Sequence, residues 1–233
     1  MDALTWMLRG LLGVGGAILV YVAWPVAGGA WQAQKADAVL FELRSQKPME
    51  LASAQAAVAA LDRAVAADPV AGRRLGRSEL LAGLALTPEL QVSREQRTEW
   101  MKQALGDLDY GLGNAPARGL AWTRLASTRQ ALDGTSAKVV AALMMSIDTS
   151  PMVAALWPAR LQLILDNWQY LTPQQRERLA AYVAMMWRMS PDRRYFAWVI
   201  RSPIDELFVR YFLRDEPNAQ EDLNRWLAAL KKK

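Results

Sequence analysis

The stretch Asn114-Ala115-Pro116-Ala117-Arg118-Gly119-Leu120-Ala121-Trp122-Thr123-Arg124-Leu125-Ala126 decides how the chain is read. It sets a helix stop, a proline and a fresh amphipathic helix in fixed order, with Trp122 and Leu125 three apart on one face. Related orders lie on either side of it. A proline follows an apolar helix at Pro69, Pro116, Pro151 and Pro191, with separations of 47, 35 and 40 residues. Six residues beyond the first three stand Leu75, Trp122 and Trp157, and seven beyond the last stands Trp198. A period near 34 residues is two helices and two turns, the scale of a stacked helical-hairpin array.

Working outward, apolar periodicity predicts helices over 33–46, 51–67 and 74–86, the second very rich in alanine and closed by Asp68-Pro69. Thr87 to Ser93 reads as a loop, with Ser93 capping the next helix and Gln96 at its third position. That helix stops near Gly111 to Gly113, and the opening stretch begins one that ends at Asp133-Gly134. Further helices are expected from Ser136 to Ile147 and from Val153 to Tyr170, the latter kinked or delayed by Pro158. Another runs from the Thr172-Pro173-Gln174-Gln175 start to Met189. The remaining segments are Arg194 to Ile200, Ile204 to Leu213 and Asn218 to Leu230. No stretch alternates with β-branched enrichment, so the expected class is all-α.

Two segments carry a family likeness. Ala57 to Pro69 reads A-x-x-x-L-x-x-A-V-x-x-D-P, and Pro116 to Ala126 reads P-x-x-x-x-A-W-x-x-L-A. Together they resemble the tetratricopeptide repeat, over roughly residues 50–213. The glycine and following tyrosine of that family's first helix are largely missing, and the 47-residue gap implies an insertion around Thr87 to Arg97. The resemblance implies three to four helix pairs in an α-solenoid and a role in binding peptides or helices of partner proteins. In this family such roles often fall in complexes for secretion, cytochrome maturation or surface-polysaccharide export. A non-repeating helical bundle fits the same periodicity. On either architecture Trp122, Trp157 and Trp198 are expected to fill the space between helices, each burying roughly 150–250 Å².

Hydrophobic residues make up 52% of the 233 and charged residues 22%, which suits a packed core. There is no cysteine and no histidine, so disulfides, thiol nucleophiles and histidine acid–base chemistry are excluded, as are the usual zinc ligand sets. The net charge is +5, and residues 1–31 contribute only Asp2 and Arg9 to it. A basic surface of this kind suits lipid head groups or acidic glycans; nucleic acid is not an expected partner.

Gly10 to Ala30 contains no charged residue, and a bilayer core needs about 20 such residues. Trp6 and Trp31 bracket this run, as interfacial aromatic residues do. Residues 1–31 are therefore read as a transmembrane signal anchor. A cleavable signal peptide, with Pro25 ending the helix and Gly28-Gly29-Ala30 as the cleavage region, is the competing reading. Basic residues alone favour the wrong end for export, with Arg9 on one side and Lys35, Arg44 and Lys47 on the other. Export rests instead on the short tail and the signal-like segment. Gly13, Gly16 and Ala17 form a smooth stripe at spacings of three and four, a face for another membrane helix.

Catalysis finds little support. Asp107 and Asp109 turn to different sides of a helix, Asp205 and Glu206 are adjacent, and both pairs read as solvated surface acids. Gly13-Val14-Gly15-Gly16 lies inside the apolar run and not after a strand, so no phosphate loop is present. The protein is not expected to be an enzyme, and no cofactor or metal is implied. Basic clusters are the better lead. Arg73, Arg74 and Arg77 open one hairpin, and Arg193, Arg194, Tyr195 and Arg201 open another, with Arg194 expected beside Arg201 on a helix. Lys231 to Lys233 form the tail.

The expected organisation is an anchor over 1–31, a helical connector over 32–49, tetratricopeptide-like repeats over 50–213 and a capping helix with basic tail over 214–233. The expected function is a membrane-anchored scaffold or adaptor in a bacterial envelope assembly, single-pass in the inner membrane with its soluble part in the periplasm. Its partners would be proteins, an integral membrane protein among them, and surface-polysaccharide export is the favoured setting. The alternative is a binding module for acidic glycan or anionic lipid, and after that an unrecognised hydrolase.

Overall fold

Helix ends govern this structure. A computed structural model describes residues 3–45 and 47–230, with side chains from Leu12 onward. Among the described residues every regular element is helical and no strand occurs. The chain divides into two compact units, Met1–Pro116 and Ala117–Lys233. The boundary falls inside the stretch quoted above, so the span expected as one repeat domain over 50–213 is parted at Pro116.

The first unit holds α1 (Ala3–Gln34), α2 (Asp37–Arg44), α3 (Leu51–Ala67), α4 (Ala71–Leu86) and α5 (Arg94–Asn114). Pro25 lies inside α1 without ending it, so the helix end required by the cleavable-signal reading is not seen. At 1.5 Å per residue α1 spans about 48 Å, longer than a bilayer core of about 30 Å. Its C-terminal part packs on α3. The alanines Ala54, Ala57, Ala60 and Ala64 supply the reason: four of the six buried side chains of α3 are methyl groups, which lets neighbouring backbones approach. Ala36, Val39 and Leu40 join Leu61, Leu80, Leu81, Leu84 and Trp100 in one apolar core. Helices α4 and α5 form a long pair across the loop 87–93, closed by Ser93, whose hydroxyl accepts from the Gln96 N–H at 3.1 Å.

The second unit holds α6 (Gly119–Asp133), α7 (Ala137–Thr149), α8 (Trp157–Asp166), α9 (Pro173–Met189), α10 (Tyr195–Trp198), α11 (Pro203–Phe212) and α12 (Ala219–Leu230). Gly134, at φ +80°, turns α6 into α7 in a conformation that a side chain would strain. Thr172 and Gln175 complete a reciprocal cap on α9, as their spacing predicts. The helix expected over 153–170 is instead α8 flanked by short 3-10 turns at Ala154–Leu156 and Trp168–Tyr170. Pro158 has no N–H to offer an earlier turn and sits at the start of α8. At the other end the fully buried Asn167 donates to the Leu163 carbonyl at 2.9 Å and accepts the Ser136 N–H at 3.1 Å, so its side chain takes the place of a further helical turn.

Arg160 is the centre of the second unit. It is wholly buried, yet no carboxylate meets it among the described contacts. Its guanidinium donates to the Ser146 carbonyl, the Ser150 carbonyl and the Tyr182 hydroxyl, each at 2.8 Å, and to the Ser146 hydroxyl. The two carbonyls lie at the C-terminal end of α7, which carries partial negative charge, and the Ser146 carbonyl also accepts the Ser150 N–H at 3.2 Å. Ser146 also donates to the Gly119 carbonyl at 2.7 Å, which brings α6 into the same cluster. A Cβ on Gly119 would stand 2.4 Å from that of Ser150, so only glycine admits this approach. Burial raises the Tyr182 pKa, and Arg160 opposes the rise.

Replacing Arg160 with Ala is expected to destabilise the second unit by about 3–5 kcal/mol, because the buried acceptors lose a charged donor. Denaturant unfolding followed through the tryptophans measures it, and Arg160→Lys should recover part of the loss.

Candidate functional site

The N-terminal helix presents the most unusual surface. Leu12, Val14, Ile18, Leu19, Val20, Tyr21, Val22, Trp24 and Val26 are all more than half exposed, so apolar side chains surround the whole helix. A helix apolar on every side belongs in a protein core or a bilayer, and this one is not in the core. Leu12–Gln34 is long and apolar enough to cross a membrane. Gly13, Gly16 and Ala17 are exposed on it, and nothing stands within 4 Å of a Cβ built on either glycine. The side chains of Trp6 and Arg9 and the Lys231 to Lys233 tail lie outside the described residues.

The other end of this helix is locked to its unit by Arg73. The guanidinium donates to the Val26 carbonyl at 2.8 Å and to the Asp68 carbonyl at 3.2 Å, and it pairs with the Asp68 carboxylate. Gly29 makes this possible: a Cβ there would lie 2.5 Å from Nη1 of Arg73 and 2.7 Å from Cζ. Arg63 adds a hydrogen bond to Gln32 at 3.3 Å. The end of α1, from Val26 to Gln32, is thus tied to α3 and to the start of α4.

The sequence grouped Arg73, Arg74 and Arg77 as a partner-binding cluster, and the structure turns all three inward. Arg77 grips Asp107 with two donors, at 2.7 and 2.8 Å, and reaches Asp62 at 2.7 Å, which joins α3, α4 and α5. The hydrogen bond to Asp107 raises the Arg77 pKa further, against the opposing effect of burial. Arg74 meets Asp107 at 3.3 Å and lies 4.2 Å over the Tyr110 ring. Asp107, expected to be a solvated acid, is only 1% exposed. The physical reason is shared: a buried carboxylate needs a cation, and arginine one helix away supplies a matching fork.

The second cluster is spread out. Arg193 lies 5.0 Å over the Trp187 ring, Arg194 pairs with Asp192 at 2.7 Å, and Tyr195 is buried. Arg201 stays exposed, its backbone N–H donating to Asp205 at 2.9 Å. Arg194 and Arg201 do not share a helix, because α10 ends at Trp198 before the Ser202-Pro203 start of α11. Asp205 and Glu206 are engaged too, the latter with Arg210 at 2.7 Å. Of the tryptophans expected in the core, Trp157 is buried and Trp122 half-buried, whereas Trp198 is 58% exposed and overturns its assignment. The proline-plus-seven spacing puts Trp198 at the last residue of a four-residue helix, which is too short to carry it inward.

One feature escaped the sequence reading. On α11, Ile204, Leu207 and Tyr211 are exposed and Phe208 half-buried at spacings of three and four, beside the buried Val209 and Phe212. Trp168 stacks on Phe208 with ring centres 4.3 Å apart, so the stripe continues onto the turn after α8. The signal was present as two interleaved apolar stripes on one short helix, but periodicity alone does not say that only one is covered.

No group of acids is placed to hold a metal among the described residues. No protein-family model, curated protein or solved structure matches the chain.

Two outcomes follow from this geometry. Gly29→Leu should expel the Arg73 guanidinium and free the end of α1 from α3, with a sharp rise in proteolysis between residues 26 and 36. Arg194, followed by its own backbone N–H, pulls the Asp192 carboxyl from 3.8 down to about 2. This contact is therefore complete above pH 4 and is lost as pH falls through the lowered value. Carbon-13 NMR titration should show Asp192 returning to the ordinary carboxylate range in Arg194→Ala, with little change in stability because the pair is exposed.

Proposed function

We propose that this protein is a membrane-anchored helical adaptor: α1 crosses a bacterial inner membrane once and the helical remainder lies in the periplasm, holding partner proteins of an envelope assembly. The observation that carries the reading is the contrast along α1. Its first part is apolar and exposed all round, while its last turns are locked to α3 through Arg73 and Gly29. Cleavage at Gly28 to Ala30 would cut through that docked segment, which favours a retained anchor over a removed signal. The lock also makes the anchor a rigid extension of the first unit, so a contact made inside the bilayer reaches the soluble helices without a hinge.

The small-residue stripe at Gly13, Gly16 and Ala17 fits a second membrane helix, because small side chains let helix backbones close up. Helix pairs α4–α5 and α6–α7, bounded by Pro69, Pro116 and Pro151, support a degenerate tetratricopeptide-like organisation for the partner-holding part. The basic, Trp-rich surface that pointed to a polysaccharide setting is smaller than the sequence suggests. Arg73, Arg74 and Arg77 serve internal ties, and Trp157 and Trp187 are core. The reading therefore rests on anchor and helix pairs, not on glycan chemistry.

The chain should stay with membranes through alkaline carbonate extraction, and a reporter active only in the periplasm should work when fused after Lys233. Crosslinking in its own cells should return the same partner proteins from wild type, and fewer membrane partners from Gly13→Leu/Gly16→Leu. Release by carbonate, or a reporter active only in the cytoplasm, would remove the anchored periplasmic adaptor.

A further inference from the structure

We infer that the outward face of α11 is a second membrane contact, laying Ile204, Leu207, Phe208, Tyr211 and Trp168 into the interface of an anionic bilayer. Ile204 is 61% and Leu207 64% exposed, and with Phe208 and Tyr211 they make an apolar stripe two turns long. Trp168 extends it, stacked on Phe208 and meeting Tyr211 edge-on at 6.4 Å. A shallow dip between Trp168, Leu207, Phe208 and Tyr211 is walled by apolar atoms. Aromatic rings of this kind settle at the headgroup level, where an apolar body and a polar edge are both accommodated.

The rim of the stripe is what names the occupant. Arg176 lies 4.8 Å over the Trp168 ring, and Arg214 lies 4.5 Å over the Tyr211 ring while pairing with Asp215 at 3.3 Å. Arg201 is exposed just ahead of the helix. Among the described residues neither Arg176 nor Arg201 has a carboxylate partner; the exposed Arg201 is open to phosphate oxygens, whereas Arg176 is half-buried and donates to the Trp168 carbonyl at 3.3 Å. The acids of α11 are already used. Glu206 is held by Arg210, and the Asp205 carboxylate accepts the Arg201 backbone N–H. An apolar stripe edged with arginine is the pattern of a helix that lies in a bilayer interface, its cations drawn to anionic lipid. A second copy of the same face would instead set arginine against arginine. The stripe is too short to hold a free protein at a membrane, and the inference rests on the anchored reading. A domain already tethered by α1 meets the bilayer at high effective concentration, where a weak contact suffices.

The absence of cysteine in the chain gives a clean test. Single nitroxide labels are placed at Leu207→Cys on the stripe, Val20→Cys in α1 and Ala131→Cys on the exposed side of α6. The full chain is reconstituted in phosphatidylcholine vesicles with and without phosphatidylglycerol, and collision with oxygen and with a water-soluble nickel chelate is read by electron paramagnetic resonance. The label at 207 should favour oxygen several-fold over the label at 131, at a shallower depth than the label at 20. Omitting phosphatidylglycerol, adding molar salt, or introducing Arg176→Glu with Arg201→Glu should each return it toward water. The lipid and salt arms need no arginine substitution and so do not depend on those variants folding. A label at 207 as water-accessible as that at 131, with 20 buried in lipid, overturns this inference and leaves the anchor standing. Water access at 20 overturns the anchored reading, and with it this one. Shielding of 207 from both reagents points to a protein on the stripe and overturns the lipid assignment.

Discussion

A helix that stops inside a packed protein leaves carbonyl oxygens with no helical donor, and this chain answers that constraint with arginine. Arg160 serves the end of α7 through Ser146 and Ser150. Arg97 serves the end of α4 and the loop after it, reaching the Ala85 and Thr87 carbonyls at 2.8 and 2.9 Å. Arg73 serves the Asp68 carbonyl just past α3. Each guanidinium offers several donors in a fixed fork, carries charge that complements the negative end of a helix, and comes from a different element than the one it caps. One side chain therefore both satisfies a helix end and ties two helices together. With twelve α-helices among the described residues, many short, such ends are the recurring problem of the fold.

That use of arginine changes what the positive charge means. A basic excess of +5 with clusters at hairpin starts reads as a surface for anionic partners. In the folded chain the Arg73, Arg74 and Arg77 cluster faces Asp68, Asp107 and Asp62, and Arg97 and Arg160 face backbone carbonyl groups. Near the aromatic face of α11, Arg176 and Arg214 lie over Trp168 and Tyr211, and Arg201 is exposed. The Arg73 lock has a second consequence. Because it seizes the Val26 carbonyl across the glycine at 29, the apolar helix and the α3–α4 turn are held as one piece.

Much of the helical order was legible in the residues. The limits of α3 follow from its alanine run and Asp68-Pro69, and the caps at Ser93 and Thr172 form as their spacing predicts. The break before α11 follows from Ser202-Pro203. Local chemistry decides these features, and local chemistry is what a sequence displays. The site was far less legible. Arg74 and Arg201 look alike in sequence, yet one faces a buried carboxylate and the other solvent. Trp157 and Trp198 stand at near-equal distances past a proline, yet one donates its ring N–H to the Pro151 carbonyl inside the fold and the other is exposed.

By itself, then, the sequence determined an all-helical chain, where most helices start and stop, and an N-terminal segment apolar enough for a membrane. Periodicity, capping and proline act within a few residues, and no distant partner is needed to read them. Only the tertiary structure decided which arginines are ties and which are free, that Asp107 is buried, that Pro25 leaves α1 unbroken, and that one stripe of α11 stays uncovered. Those outcomes depend on which helix lies opposite, and an ion pair between residues 77 and 107 or a carbonyl contact from 73 to 26 exists only once the chain has packed.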